Sequence, residues 1–307
     1  MAETITFLFG AGASKGAVHV DPCAPPVGKE LYDRLAHSFP REWGPGSPLS
    51  QYCDGFRNDF ENTMSKEIST QYAPLFILEW MRPMSLYFSH FTPDKTGKDL
   101  YTRLLLCLQA KGLIGNSIFG SLNYDCIFEK AAHRIGLKIN YSGKKAKIDE
   151  ISVLKVHGSC NFVTEDMEPK SQFMSGYTES RIDYVSLDNI ETELRAKFFG
   201  SAGCYYPFVS LYAFRKNTIV GGMEIQQIRN AWSQAVSRTS VLAVVGVRPN
   251  KDDSHIWDPV KKTSARLLYI GSQTDFAGWL LANSRFKHLG STFELGFDNL
   301  IKSLESD

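Results

Sequence analysis

The sequence has no apolar run long enough to cross a membrane, no closely paired cysteines and no surplus of charge of either sign. Its longest apolar stretches, Ala73–Leu78, Leu104–Leu108 and Val241–Val247, fall far short of the roughly 18 residues that mark a spanning helix, so no membrane span is expected. Lys and Arg total 34 against 33 Asp and Glu, a net charge of +1. That balance removes the domain-wide basic surplus from which direct nucleic-acid binding is usually inferred, and leaves only a local patch open. The six cysteines, at 23, 53, 107, 126, 160 and 204, form no CxxC. A disulfide framework and a four-thiolate zinc site both want closer pairs, so the expectation is reduced, mostly buried thiols in a cytoplasmic protein. The opening Met1–Gly10 has no basic n-region, and its apolar run leads into glycines instead of a cleavage site, so no signal peptide is expected. Repeats, low-complexity tracts and long charged runs are missing too.

What is present is enough apolar material for a real core: 43% of residues are hydrophobic and 12% aromatic, which argues against disorder. At roughly 150 residues per domain, 307 residues allow one large domain or two moderate ones. Short apolar strands are expected at Ile5–Phe9, Ser117–Phe119, Ser152–Val156, Val241–Val245 and Leu267–Ile270. Continuous Val/Ile/Leu strands of this kind suit a parallel sheet covered by helices on both faces. Helical patterns fall at Lys29–His37, Leu75–Phe88, Asp99–Lys111 and Met223–Val236. The hundred or so residues between the first two strands exceed one crossover helix, so a helical insertion is expected at about 40–110. A second insertion, rich in Tyr, Phe, Ser and Gly, occupies about 160–235. Most of the strands end in turns bearing Gly, His, Asn or Asp, and in an open parallel sheet such turns line the ligand crevice.

Gly10-Ala11-Gly12-Ala13-Ser14 follows the first strand directly and has the character of a diphosphate cradle, where glycines let the backbone approach phosphate oxygens. The next glycine is Gly16, so the spacing is GxGxxxG and misses the dehydrogenase fingerprint by one residue. Pro25-Pro26 stands where that fingerprint wants a ribose-binding acid. A tight turn without ligand has the same pattern. His157, after a strand and before Gly158, can serve as a general base near neutral pH or simply bond a loop carbonyl. Asn123 and Asp125, in Leu-Asn-Tyr-Asp, can orient water and hold a ribose or carboxamide, and are equally good turn residues. Asp252, Asp253 and His255 form either a binding loop or a solvated one.

The order of these segments resembles the sirtuin superfamily: GAGAS, then LNYD, then VHGS, then a glycine-ended strand VVGV with the DDSHIW loop. The resemblance spans about residues 5–282 and implies a Rossmann-like doubly wound α/β fold in a single NAD-binding domain over 1–307. Two departures narrow it. Deacylating sirtuins carry two CxxC pairs after the His-Gly strand, whereas only Cys160 and Cys204 lie beyond His157 here. The opening loop reads Ala24-Pro25-Pro26-Val27-Gly28-Lys29-Glu30-Leu31 in place of the deacylase segment. The second insertion then replaces the zinc module. This looks like the bacterial sirtuin-like branch of antiphage effectors that hydrolyse NAD.

That resemblance implies cleavage of the nicotinamide–ribose bond of NAD⁺, with NAD as substrate and no metal. Gly10, Ala11, Gly12 and Ser14 would hold the diphosphate, Asn123 would orient water, Asp125 would hold the ribose or carboxamide, and His157 would take the proton. Gly246, Gly271, Asp253 and His255 would line the adenosine half. Transfer of ADP-ribose, cyclisation, or a regulatory module that binds NAD without turnover remain alternatives. Gating by homo-oligomerisation, by a translocase-type ATPase or by a phage protein is implied as well, with the helical insertion at about 40–110 and the Tyr/Phe-rich stretch 160–215 as candidate contact surfaces.

Overall fold

The structure is a computed structural model that describes residues 4–72, 74–143, 146–165, 182–200, 205–209, 222–250, 253–274 and 286–304. Asp252, Cys204 and much of the 160–235 insertion lie outside these residues. The strands, in chain order, are β1 (Ile5–Phe9), β2 (Val20–Asp21), β3 (Thr92–Pro93), β4 (Ser117–Ser121), β5 (Lys138–Asn140), β6 (Glu150–Lys155), β7 (Gly158–Glu165), β8 (Ile182–Tyr184), β9 (Tyr205–Val209), β10 (Val241–Val245), β11 (Arg266–Ile270) and β12 (Phe286–Gly290). Seven of them form one sheet in the order β12-β11-β10-β1-β4-β6-β5, and every pairing in it is parallel.

The residues of β1 and β10 are buried throughout. On one face Phe7, Phe9 and Phe119 stack along the sheet. Helices Leu100–Ala110, Ile127–Arg134 and Phe293–Ser303 cover them through Tyr101, Phe128 and Phe293. On the other face Trp232, from helix Gly222–Arg238, lies against Gly120; a Cβ there would meet the indole at 2.7 Å. Helices on both faces of a parallel sheet make the fold doubly wound, as expected. Capping sets the helix starts: Asp99 accepts from Thr102 N at 2.8 Å and Thr292 from Leu295 N at 3.2 Å.

The chain leaves β1 for β4 on one side and returns later to β10 on the other, so the strand order reverses beside β1. In open α/β sheets ligands bind at such a switch point, outside the carboxyl ends of the strands. The stretch 40–110 is largely helical, and helix Pro74–Ser89 is its longest member. Its last helix, Leu100–Ala110, lies on the sheet itself. Part of the second insertion is a three-stranded antiparallel sheet, β8-β7-β9, which begins directly after His157. The cysteines differ from expectation. Cys126 and Cys160 are buried, Cys53 and Cys107 are intermediate, and Cys23 is exposed on the loop before helix Gly28–Ser38.

Candidate functional site

The turns after β1 and β10 meet backbone to backbone. Gly10 N donates to Val245 O at 3.0 Å, Gly12 N to Gly246 O at 2.9 Å and Ala13 N to Gly10 O at 2.8 Å. Gly246 sits at φ +64°, and a Cβ there would lie 2.0 Å from Ala13 N. A Cβ on Gly10 would lie 2.6 Å from Gly246 O. Glycine is required at both positions by this contact alone. The helix that follows, Ala11–Lys15, is little more than one turn long, so its dipole contribution is small.

Asn123 follows β4 and reaches into the first turn. Its Nδ2 donates to Gly10 O and to Ser14 Oγ, each at 2.9 Å. Ser14 Oγ also lies 3.2 Å from Tyr101 Oη and donates to Asp125 Oδ1 at 3.2 Å. One donor and two acceptors exhaust a hydroxyl, so Ser14 acts as the hub of a buried network. Asp125 Oδ1 accepts from Ile127 N at 3.1 Å as well. Burial raises the Asp125 carboxyl above its usual range, and the Lys155 ammonium pulls it back. Burial likewise holds the Tyr101 phenol well above its ordinary value, reinforced by Asp125.

His157, two residues past β6, is 4% exposed. Ser121 and Lys155 are register partners, so Asn123 and His157 each lie two residues beyond the same rung of the β4–β6 ladder. His157 Nε2 lies 3.1 Å from His255 Nε2 and 3.7 Å from Asp253 Oδ1. The DDSHIW segment is therefore no solvated loop in its described part: Asp253 is buried at the start of helix Ser254–Lys262, and His255 projects from its first turn. These three ligand atoms lie within 4.8 Å of one another. Two imidazoles and a carboxylate so placed can share a proton or hold a divalent cation of the zinc type. Arg229, whose Nε donates to Val156 O at 3.5 Å, is half-buried beside them; burial lowers its pKa and Asp253 opposes the shift.

Gly271 closes the row of strand ends. It has φ +149°, donates to Gly290 O at 2.9 Å and accepts from His288 Nε2 at 2.7 Å. The glycine faces Tyr269, whose hydroxyl would lie 2.5 Å from a Cβ and which donates to Val247 O at 3.2 Å. The structure thus gathers Gly10, Gly12, Ser14, Asn123 and Asp125 in one network and His157, Asp253 and His255 in a second. It places Asp253 and His255 beside His157, whereas the sequence reading assigned them to the adenosine half. Tyr101, Glu129, Lys155 and Arg229 were not anticipated. For Lys155 the signal was present, a lone cation inside the apolar run Ser152-Val153-Leu154-Lys155-Val156.

A doubly wound parallel sheet whose glycine turns meet at the switch point defines the class as a Rossmann-like α/β fold. Within that class the likeness is to solved structures of Sir2 homologues. One is a Sir2 homologue–NAD complex, with TM-score 0.51 and 14% identity over 98% of this chain and 89% of that one. Another is a single-site mutant of a Sir2 homologue with ADP-ribose, with TM-score 0.50 and 13% identity over 99% of this chain and 94% of that one. A third comes from work on sirtuin substrate affinity, with TM-score 0.51 and 13% identity over 99% and 94%. At these identities the likeness establishes the shared fold. No protein-family model and no curated protein matches the chain.

Proposed function

We propose that this protein binds NAD⁺ at the strand-end crevice and cleaves its nicotinamide–ribose bond, giving nicotinamide and ADP-ribose. The observation that carries the reading is the pairing of Asn123 and His157 beyond one rung of the β4–β6 ladder, beside the glycine turns of the switch point. Support comes from solved structures of this fold that hold NAD and ADP-ribose.

The reaction needs little covalent help, because nicotinamide departs as a neutral ring. Water attacks the anomeric carbon as the C–N bond breaks, and one proton is released. The Asn123 Nδ2 hydrogen bonds to Gly10 O and Ser14 Oγ tie it to the first turn, which leaves Oδ1 as the atom that accepts a hydrogen bond from water or a ribose hydroxyl. His157 accepts the proton, a step typically worth about 10²–10⁴-fold. His255 and Asp253 steady the imidazolium that forms. The buried Asp125 carboxylate and the main chain of Gly10–Gly12 form the wall against ribose and diphosphate, with Gly246 and Gly271 beyond. No metal is required, although the His157–Asp253–His255 set could take one.

An uncontrolled NAD-consuming enzyme is lethal to its cell. Its activity is therefore gated in the cytoplasm by self-assembly or by a partner such as a translocase-type ATPase or a phage protein, within an antiphage defence role. Large apolar side chains exposed on both insertions, Phe76 and Leu106 on the first and Tyr184 and Phe199 on the second, suit such contacts. A second reading, an NAD-binding regulatory module without turnover, is favoured by one observation: Asn123 and Ser14 are engaged in bonds within the chain. Incubating purified protein with NAD⁺, alone and with its neighbouring gene products, and resolving the products by chromatography and mass decides between them. Nicotinamide and ADP-ribose, lost in His157→Ala, are expected. Cyclic or transferred products would redirect the chemistry, and binding without turnover in every assembly would overturn it.

A further inference from the structure

Lys155 is the last residue of β6 and is completely buried, yet it carries a charge. Its Nζ donates to the main-chain oxygen of Asp125 at 2.7 Å and lies 3.0 Å from Glu129 Oε1, itself only 1% exposed. An ion pair taken out of water is weak as a source of stability, because desolvation offsets its attraction; apolar residues of similar volume commonly do as well or better. What such a pair does supply is registry.

The contacts of this one ammonium join three elements. Its own strand leads, two residues on, to His157. The carbonyl it grips lies in the Asn123–Asp125 segment. Glu129 belongs to helix Ile127–Arg134, whose first amide, Ile127 N, returns to Asp125 Oδ1. The Asn123 segment is thereby fixed from both ends: at one by the Asn123 amide on Gly10 and Ser14, at the other by Lys155.

We infer that Lys155, with Glu129 as its counter-charge, is a positioning residue that sets the Asn123 and Asp125 segment against His157. Its kinetic arm rests on the NAD-cleavage reading above; its structural arm does not. Burial opposes the charge on Lys155, but the Glu129 and Asp125 carboxylates outweigh it, so the group stays protonated and clamped at neutral pH.

The test replaces both charges at once, Lys155→Met with Glu129→Leu, so that no lone charge is left in the core. The double variant is expected to fold, with native circular dichroism and a cooperative melt. Its kcat for NAD cleavage is expected to fall on the order of 10²-fold, the usual consequence of about 1 Å of misplacement, with KM changed less than about threefold. Wild-type kcat in the folded double variant overturns the inference. Hydrogen exchange supplies the independent arm: amides of 123–127 should exchange faster while those of β1 stay protected, and unchanged exchange at 123–127 overturns the inference even if the wild-type chain never cleaves NAD. A wild-type chain without NAD cleavage removes the function reading alone. Lys155→Met alone is the second variant, in case the double one does not fold; burial already raises the Glu129 carboxyl, which takes up a proton and leaves no lone charge. It removes the ammonium from the Asp125 carbonyl, and kcat should again fall on the order of 10²-fold. Wild-type kcat there overturns the assignment of positioning to the Lys155–Asp125 bond.

Discussion

His157 Nε2 and His255 Nε2 face each other at 3.1 Å, and only one proton fits between them. The two rings therefore act as a unit, one donating to the other, and share whatever proton the reaction delivers. His255→Ala is expected to lower kcat for NAD cleavage by roughly 10- to 100-fold while leaving the melting temperature near that of wild type. Steady-state kinetics on the folded variant check this, and unchanged kcat would remove His255 from the proton path.

Gly246→Ala addresses the contact between the two glycine turns. A left-handed φ costs a non-glycine residue about 1–2 kcal/mol, and the new methyl would sit 2.0 Å from Ala13 N. Destabilisation of more than about 2 kcal/mol is expected, seen as a melting temperature lower by several degrees. NAD binding measured by calorimetry should weaken with it. A variant as stable as wild type would show that the two turns are not packed this way.

The alkaline limb of stability follows from three buried groups. Burial holds the Tyr101 and Tyr141 phenols well above their ordinary value, and Lys155 is also raised. A folded-state pKa above the unfolded one contributes stability that is complete below the unfolded value, about 10 for both residue types, and is lost as pH rises through the folded value. Denaturant midpoints should therefore fall steeply above about pH 10. Tyr101→Phe should flatten that fall, at the expense of about 1 kcal/mol at all pH for the bond to Ser14 Oγ. Parallel curves for the two proteins would contradict the assignment.

Chelation tests the expectation that the reaction uses no metal. Dialysis against EDTA should leave the rate of nicotinamide release unchanged, because the neutral leaving group needs no Lewis acid. Loss of activity with recovery on added zinc would instead assign the His157–Asp253–His255 set to a cation.

Thiol accessibility checks the packing behind the Asn123 segment. Cys126 Sγ and Cys160 Sγ lie 3.5 Å apart in the core, and burial pushes the Cys160 thiol well up. A thiol reagent should label Cys23 first under native conditions and reach Cys126 and Cys160 only on unfolding. Prompt native labelling of Cys126 would show that this region opens.

The elements that the sequence reading found are those whose local pattern matches their surroundings. β1 and β10 are apolar runs, interrupted only by the buried Thr6, because they lie inside the sheet and are covered on both faces, and their bounds matched. β5 and β12 were missed. They are the two edges of the same sheet, β5 is only three residues long, and an edge strand needs no unbroken apolar run. Helix Gly222–Arg238 was legible from its periodicity, whereas β7, β8 and β9 pair across intervals that no local pattern spans.

The residues of chemical interest stood out for the same local reason: Gly10, Gly12, Asn123, Asp125, His157, Gly246 and Gly271 are the turn residues that end apolar strands. Sequence alone therefore determined that the strands run parallel and that these side chains collect at their carboxyl ends, since strand periodicity and turn chemistry are written in adjacent residues. Only the tertiary structure decided which of them touch. Asn123 meets Gly10 and Ser14 across more than a hundred residues, His255 arrives beside His157 from helix Ser254–Lys262, and a buried Lys155 bonds the Asp125 carbonyl. Those contacts depend on strand order and helix packing, which arise from the burial of the whole core and leave no local mark on the chain.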